Sequence, residues 1–385
     1  MERRNFLKFG AAGLAAAHAA TNKRYRAGVI GHTGRGDYGH GWDTAWNGFE
    51  AVQVVAVADP NDAGRAAAMK RCGAASGYRD YREMLRKEKP DLVSIGPRWL
   101  DQRVEMVTAA AQAGAHILLE KPFAASLADA DAMVEAVEKN KVRLQVGHQM
   151  RTSPSVRRVR EMVRGGEIGM VQEVRGRGKE DSRAGGEDLM VLGVHIFDVM
   201  RIVLGDPRWV FAHVTQDGGG IRRTNVRQAS EPIGPVAGNQ VAAMFAFDGG
   251  VHGYFGSKAN QRTHPKRFGY YFFGSEGVIY MPNALDSDPY ILRSPAWMPD
   301  EQHRWEKIEA PADADAKITG IERGHANARM VRDLLEAIDQ KRDPVCSARD
   351  GRWTVEMVLS IYQSQRTGAR VEFPLKDRRH PLELL

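Results

Sequence analysis

Between residues 25 and 146 the chain alternates short apolar runs with segments of helical character. The runs 25–30, 52–58, 92–95, 117–119 and 143–146 have strand length, and most are rich in Val, Ile and Leu. Helices are predicted over 63–71, 81–87, 101–113 and 126–140, the last with Ser126 as its N-cap. Strand–helix alternation of this kind leaves a parallel, doubly wound sheet as the fold, with a ligand crevice at the carboxyl ends of its strands.

After Gly147 the pattern changes. Helices are predicted near 155–164 and 187–204, and a strand near 171–177. Period-two alternation follows over 240–247 and 251–255, broken by glycine turns. It implies an antiparallel sheet with one covered face. Helices near 326–340 and 351–365 close the chain. The fold class is therefore α/β. A Rossmann domain over 23–147 precedes a C-terminal α+β domain over 148–385, with a large, mostly antiparallel sheet.

Two clusters carry chemistry. A glycine-rich turn, Gly31-His-Thr-Gly-Arg-Gly-Asp-Tyr-Gly39, follows the first strand. Its glycines allow backbone amides to approach a pyrophosphate, and a helix is expected to follow. Gly31, Thr33, Gly34, Arg35 and Gly36 are the candidate contacts. Asp59 ends the second strand, where an acid accepts hydrogen bonds from ribose hydroxyls and repels a 2′-phosphate, favouring NAD over NADP. Arg35 and Arg65 keep NADP open. Lys121, between Glu120 and Pro122 at the end of a strand, projects toward the crevice. A lysine there hydrogen-bonds a substrate hydroxyl or helps remove its proton if its pKa is lowered. The second cluster is the predicted helix 187–204, where Asp188, Val191, His195 and Asp198 share a stripe. His195 suits proton transfer near neutral pH. The polar run before it holds Lys179, Asp181 and Arg183, positioned to bind hydroxyls or an acidic substituent or else to form a solvated loop. Trp42 and Trp46 are lid or core residues.

In this order the motifs resemble the Gfo/Idh/MocA family of glucose–fructose oxidoreductases and inositol dehydrogenases. The resemblance rests on the glycine turn, Asp59, Pro97, Glu120-Lys121-Pro122, Arg151 with Pro154, Gly166-Glu-Ile-Gly169, His195-x-x-Asp198 and Val371-Glu-Phe-Pro-Leu375. It implies Lys121 and His195 as the catalytic pair. It also implies Pro97 and Glu120 as cofactor contacts beside the glycine turn and Asp59. Trp99 reads either as an indole stacked on the nicotinamide or a sugar face or as a buried structural residue. Arg151 and Asp188 join the expected substrate contacts. Sugar and inositol dehydrogenases of the family usually carry an Asp four residues before the histidine; here that residue is Val191. A dimer or tetramer through sheet faces is implied by the same resemblance.

At the start of the chain, Arg3-Arg4 followed by Phe6-Leu7-Lys8 and an alanine-rich run forms a twin-arginine export signal over residues 1–20. The expected location is periplasmic, with the export machinery as a partner and no stable membrane anchor. Part of the net charge of +7 sits in this segment, and the remaining basic residues are dispersed among acids, which argues against nucleic-acid binding. No zinc-ligand spacing is present, so no metal is expected. Whether Cys72 and Cys346 pair is left open. Export away from the free NAD pool implies a tightly held, recycled cofactor. Two activities meet that condition: an oxidoreductase on a sugar or polyol, and a redox-neutral glycoside hydrolase working by oxidation, elimination, hydration and reduction. A sugar- or nucleotide-binding protein without catalysis is the third reading.

Overall fold

The computed structural model describes residues 24–259, 267–283 and 287–385; the twin-arginine segment lies outside them. Six parallel strands, β1 (Tyr25–Ile30), β2 (Val52–Ala58), β3 (Ser76–Tyr78), β4 (Leu92–Ile95), β5 (His116–Leu119) and β6 (Leu144–Val146), stand in the order β3-β2-β1-β4-β5-β6. The order reverses between β1 and β4, which opens the crevice at their carboxyl ends. Leu92, Val93 and Ile95 have no solvent exposure, as expected for strands covered on both faces. Helices α1 (Asp62–Cys72), α2 (Tyr81–Glu88), α3 (Arg103–Gln112) and α4 (Leu127–Lys139) supply the cover. Ser126 caps α4 by accepting a hydrogen bond from the Asp129 amide at 3.1 Å.

The link from β1 to β2 corrects the sequence expectation: among residues 31–51 there are turns and no α-helix. Gly39, Gly41 and Gly48 hold φ of 62°, 83° and 80°, which ends each incipient helical turn. Trp42 and Trp46 pin the segment inward. Both are core residues, their indole N–H groups donating to Glu120 at 2.9 Å and to Ser94 at 3.3 Å.

In the C-terminal part, α5 (Pro154–Arg164) leads into β7 (Val171–Arg177). The predicted helix 187–204 is interrupted: one α turn, Gly186–Asp188, gives way to a π-helical turn, Leu189–Gly193, before the α-helix Val194–Leu204. A π turn widens the ladder and rotates what precedes it, so Asp188 does not share the predicted stripe. Ten strands of the described residues form the second sheet, mostly antiparallel, with β7 parallel to His252–Lys258 near its centre. The helix Ala348–Thr367 covers one face, Ser364 and Gln365 accepting from the Ala212 and Val214 amides of the strand Trp209–Gln216. It also reaches the first domain, where Arg352 pairs with Asp131 at 2.6 Å. The opposite face leaves Phe211, Tyr254 and Tyr271 exposed. Cys72 and Cys346 are both buried and free, so they do not pair.

Candidate active site

Lys121 follows the carboxyl end of β5 and is 6 % exposed. Its backbone is braced from two directions. The Glu120 carboxylate accepts from the Lys121 amide at 2.7 Å, and Arg103, buried at the start of α3, donates to the carbonyls of Pro97, Glu120 and Pro122. Nζ of Lys121 donates to the Val191 carbonyl at 3.1 Å. Burial lowers its pKa, partly opposed by Glu120 and Glu231. The π turn brings the Val191 carbonyl to this lysine and His195 to the same cavity.

That cavity has a volume of about 690 Å³ and is lined by Lys121, Val191 and His195 together with His40, Lys179, Arg183 and Arg323. Burial drives the His195 pKa well below 6.5, and the charges of Lys121, His148, His40 and Arg323 add to the effect. Its Nδ1 lies 3.4 Å from Nδ1 of His148, the two rings meeting edge to face. His148 has no solvent exposure, and burial lowers its pKa to about 4. Sequence reasoning missed His148. The signal was its place just after β6, at the carboxyl edge of the sheet, where ligand-facing residues gather.

Several predicted contacts are engaged elsewhere. Asp59 has no exposure, and its carboxylate accepts from the Thr33 amide and hydroxyl, the Tyr38 hydroxyl and the Asn61 amide. It locks the turn instead of presenting a free carboxylate to ribose. Glu120 is likewise enclosed, accepting from the His40 amide and ring and from Trp42. Burial pushes its carboxyl up, but His40, Lys121 and Arg103 outweigh that and hold it at about 2. Gly31 and Gly36 serve close packing: a Cβ on Gly31 would overlap the Tyr38 ring, and one on Gly36 the Arg98 backbone. Gly34, with φ of 82°, faces open space. Arg35 pairs with Asp101 and lies 4.6 Å over the Trp99 ring. Pro97 accepts from Arg103 through its carbonyl.

Two expected substrate contacts are corrected outright. Arg151 grips both oxygens of buried Asp198 at 2.8 and 2.9 Å and pairs with Asp350, so its guanidinium is committed to the fold. Asp188 turns away from the cavity, accepting from Ser257 at 2.5 Å; burial raises its pKa to about 6. Lys179 and Arg183 do line the cavity, and Asp181 pairs with both from behind.

Two family models match this chain: the oxidoreductase family, NAD-binding Rossmann fold, over residues 25–148, and the Gfo/Idh/MocA C-terminal domain over 156–280. The chain belongs to the Gfo/Idh/MocA family. It is therefore an NAD(P)-dependent oxidoreductase of that type. D-Apiose dehydrogenase of Paraburkholderia graminis is 26 % identical over 95 % of this chain and 94 % of its own length. Levoglucosan dehydrogenase of Pseudarthrobacter phenanthrenivorans is 27 % identical over 59 % of this chain and 64 % of its own. Among solved structures, levoglucosan dehydrogenase in complex with NADH and levoglucosan superposes with a TM-score of 0.72 at 20 % identity, covering 92 % of this chain and all of that one. Aldose–aldose oxidoreductase from Caulobacter crescentus gives 0.70 at 19 %, covering 91 % of this chain and 100 % of its own.

The residues fit a dinucleotide at both ends of the crevice. A smaller cavity of about 170 Å³ lies between Gly31, His32, Pro60, Tyr81, Arg82 and Met106, with apolar lining and a polar rim that includes Arg79 and Asp80, a mixture suited to an adenosine moiety. Between the two ends, open Gly34 offers backbone approach and Arg35 a charge. The expected helix N-terminus is replaced by these groups.

Proposed function

We propose that this member of the family oxidises a hydroxyl of a sugar or polyol, using a nucleotide, NAD, that stays bound between turnovers. The observation that carries the reading is the convergence of Lys121 and His195, both held with lowered pKa, on one cavity at the carboxyl edge of the parallel sheet. The full-length match to a D-apiose dehydrogenase supports the substrate class. With a nicotinamide bound beside the cavity, the carbinol carbon would have a hydride acceptor.

The chain's own residues handle the proton. Lys121, anchored on the Val191 carbonyl, holds the substrate hydroxyl through Nζ. His195 takes the hydroxyl proton as a neutral base, which its lowered pKa favours. In place of the carboxylate missing at Val191, His148 sets the tautomer: when His195 donates through Nδ1 to His148, its Nε2 is free to accept. In the reverse reaction the His195 imidazolium so formed returns the same proton from Nε2. NADH in the complex of levoglucosan dehydrogenase supports NAD.

The reading includes export by the twin-arginine route to the periplasm, with the cofactor carried out in the folded protein. It also includes assembly into a dimer or tetramer through the aromatic sheet face. Purification without added nucleotide, denaturation and identification of what is released is the test. Stoichiometric NAD(H) is the expected result, and an empty protein overturns retention. Sugar pairs and aryl glycosides offered to the same preparation then separate hydride exchange between sugars from redox-neutral glycoside hydrolysis.

A further inference from the structure

The cavity wall is unusually one-sided in charge. Lys121, Lys179, Arg183 and Arg323 line it, and no carboxylate does so among the described residues. Asp181 stands behind Lys179 and Arg183 at 3.6 and 2.7 Å, and Glu231 is shared between Arg183 at 3.9 Å and Arg98 at 3.6 Å. Those two acids offset only part of the positive charge. Arg323 has no ion-pair partner among the described residues, yet its charge acts on His195.

Its backbone makes the placement more telling. Arg323 has φ of 58°, a region that favours glycine, and a long cationic side chain held there is the kind of local strain that collects at ligand sites. The facing loop is built rather than loose. Glu180, 2 % exposed, ties it down through Arg177 and Arg267 at 2.7 Å each and the Lys258 amide at 2.9 Å. Lys179 and Arg183 thus project from an anchored segment.

Resting on the reading of this cavity as the sugar site, we infer that the substrate carries an anionic group, a carboxylate or an ester-linked phosphate or sulfate, that docks between Arg323 and the Lys179–Arg183 loop. Guanidinium groups match the planar oxygens of such anions with paired hydrogen bonds. The oxidised nicotinamide is itself a cation, so a neutral sugar would leave the occupied cavity with like charges facing one another. An anionic sugar balances them. Gly31 and His32 of the glycine turn line the smaller cavity, and Lys179, Arg183 and Arg323 do not.

The test is calorimetric binding to the purified full-length protein in the presence of NAD, at low and at high salt. The probes are glucose, glucuronate, glucose 6-phosphate and glucose 6-sulfate, with galactose and galacturonate as a second pair. At least one anionic member is expected to bind at least about tenfold tighter than its neutral counterpart, with the gap shrinking as salt screens the charges. Preference for the uronate marks a carboxylate site; preference for the esters marks a phosphate or sulfate site. Arg323→Met should narrow the anionic-to-neutral preference about tenfold, and Arg323→Lys should restore part of it. A panel in which no anionic member outbinds its neutral counterpart overturns the inference, as does an Arg323→Met loss equal for both. Binding is read without turnover. An anion bound tightly but never oxidised therefore counts against the oxidoreductase reading alone, and oxidation confined to neutral sugars counts against the anion site alone.

Discussion

At the glycine-turn end of the crevice the Asp59 carboxylate takes four hydrogen bonds from its own chain. At the other end, Lys121 makes one described side-chain bond, to a carbonyl, and His195 makes one long ring contact to His148. Both regions hold the residue types that nucleotide and hydroxyl chemistry call for. They differ in what is left over for a ligand. The turn end is satisfied internally and acts as a scaffold; the lysine–histidine end keeps polar groups underused in a cavity. Residue type is thus a poor guide to role until the hydrogen bonds have been allotted, because a buried polar group must be paired and will be paired within the fold if a partner is near.

Lys121→Met tests the open end and should have the largest effect. Turnover is expected to fall by about 10²- to 10⁴-fold, the range for loss of an acid–base group, with NAD still bound as read by nucleotide fluorescence. Equal loss of NAD binding would make Lys121 part of the scaffold and erase the contrast. Asp59→Ala tests the closed end. It strands the Thr33 amide and the Tyr38 hydroxyl, so it should cost about 1–3 kcal/mol of stability in denaturant titration. A mutant of unchanged stability that has lost NAD affinity tenfold would show that Asp59 serves the ligand after all.

Acid titration sharpens the comparison. His148 is depressed to about 4 in the fold, so its neutral form stabilises the protein fully above the unfolded value of 6.5. That contribution, roughly 3 kcal/mol at full burial, is lost as pH falls from 6.5 toward 4. Asp188, raised to about 6, has the opposite sign: its contribution grows as pH falls through 6. Asp188→Asn should therefore steepen the loss of stability between pH 7 and pH 5, and an unchanged slope would refute the assignment. His148→Phe should flatten that slope and also shift the pH profile of kcat/KM, which a purely structural role would not do. The smallest effect is expected from Val191→Asp. A carboxylate there raises the basicity of both neighbours and should increase simple dehydrogenation less than tenfold. No change would mean that the proton path runs through His148 alone.

Much of this was legible. Ser126 signals its cap, the apolar runs give the parallel sheet, and Glu120-Lys121-Pro122 marks a strand end facing the crevice. His148, Arg103 and Arg323 were not, since a lone histidine after a strand, an arginine at a helix start and an arginine in a loop carry no local signature. Arg103 matters only because three carbonyls, from the ends of two neighbouring strands, meet at its guanidinium. Arg151 misled for the same reason. An arginine in a family motif reads as a ligand contact until Asp198 and Asp350 are seen to take its charge.

The alternation of apolar runs and helices by itself determined the two-part architecture, because burial of strand and helix faces follows local period. It also determined the chemical character of the site, through the order of its glycine turn, lysine and histidine. Only the tertiary structure decided which polar groups remain for a ligand. Glycines at 39, 41 and 48 replaced a helix with turns, a π turn set the Val191 carbonyl on Lys121, and Asp59 was drawn into its own turn. Each outcome depends on partners distant in sequence competing for the same hydrogen bonds, and that competition is settled only once the chain is packed.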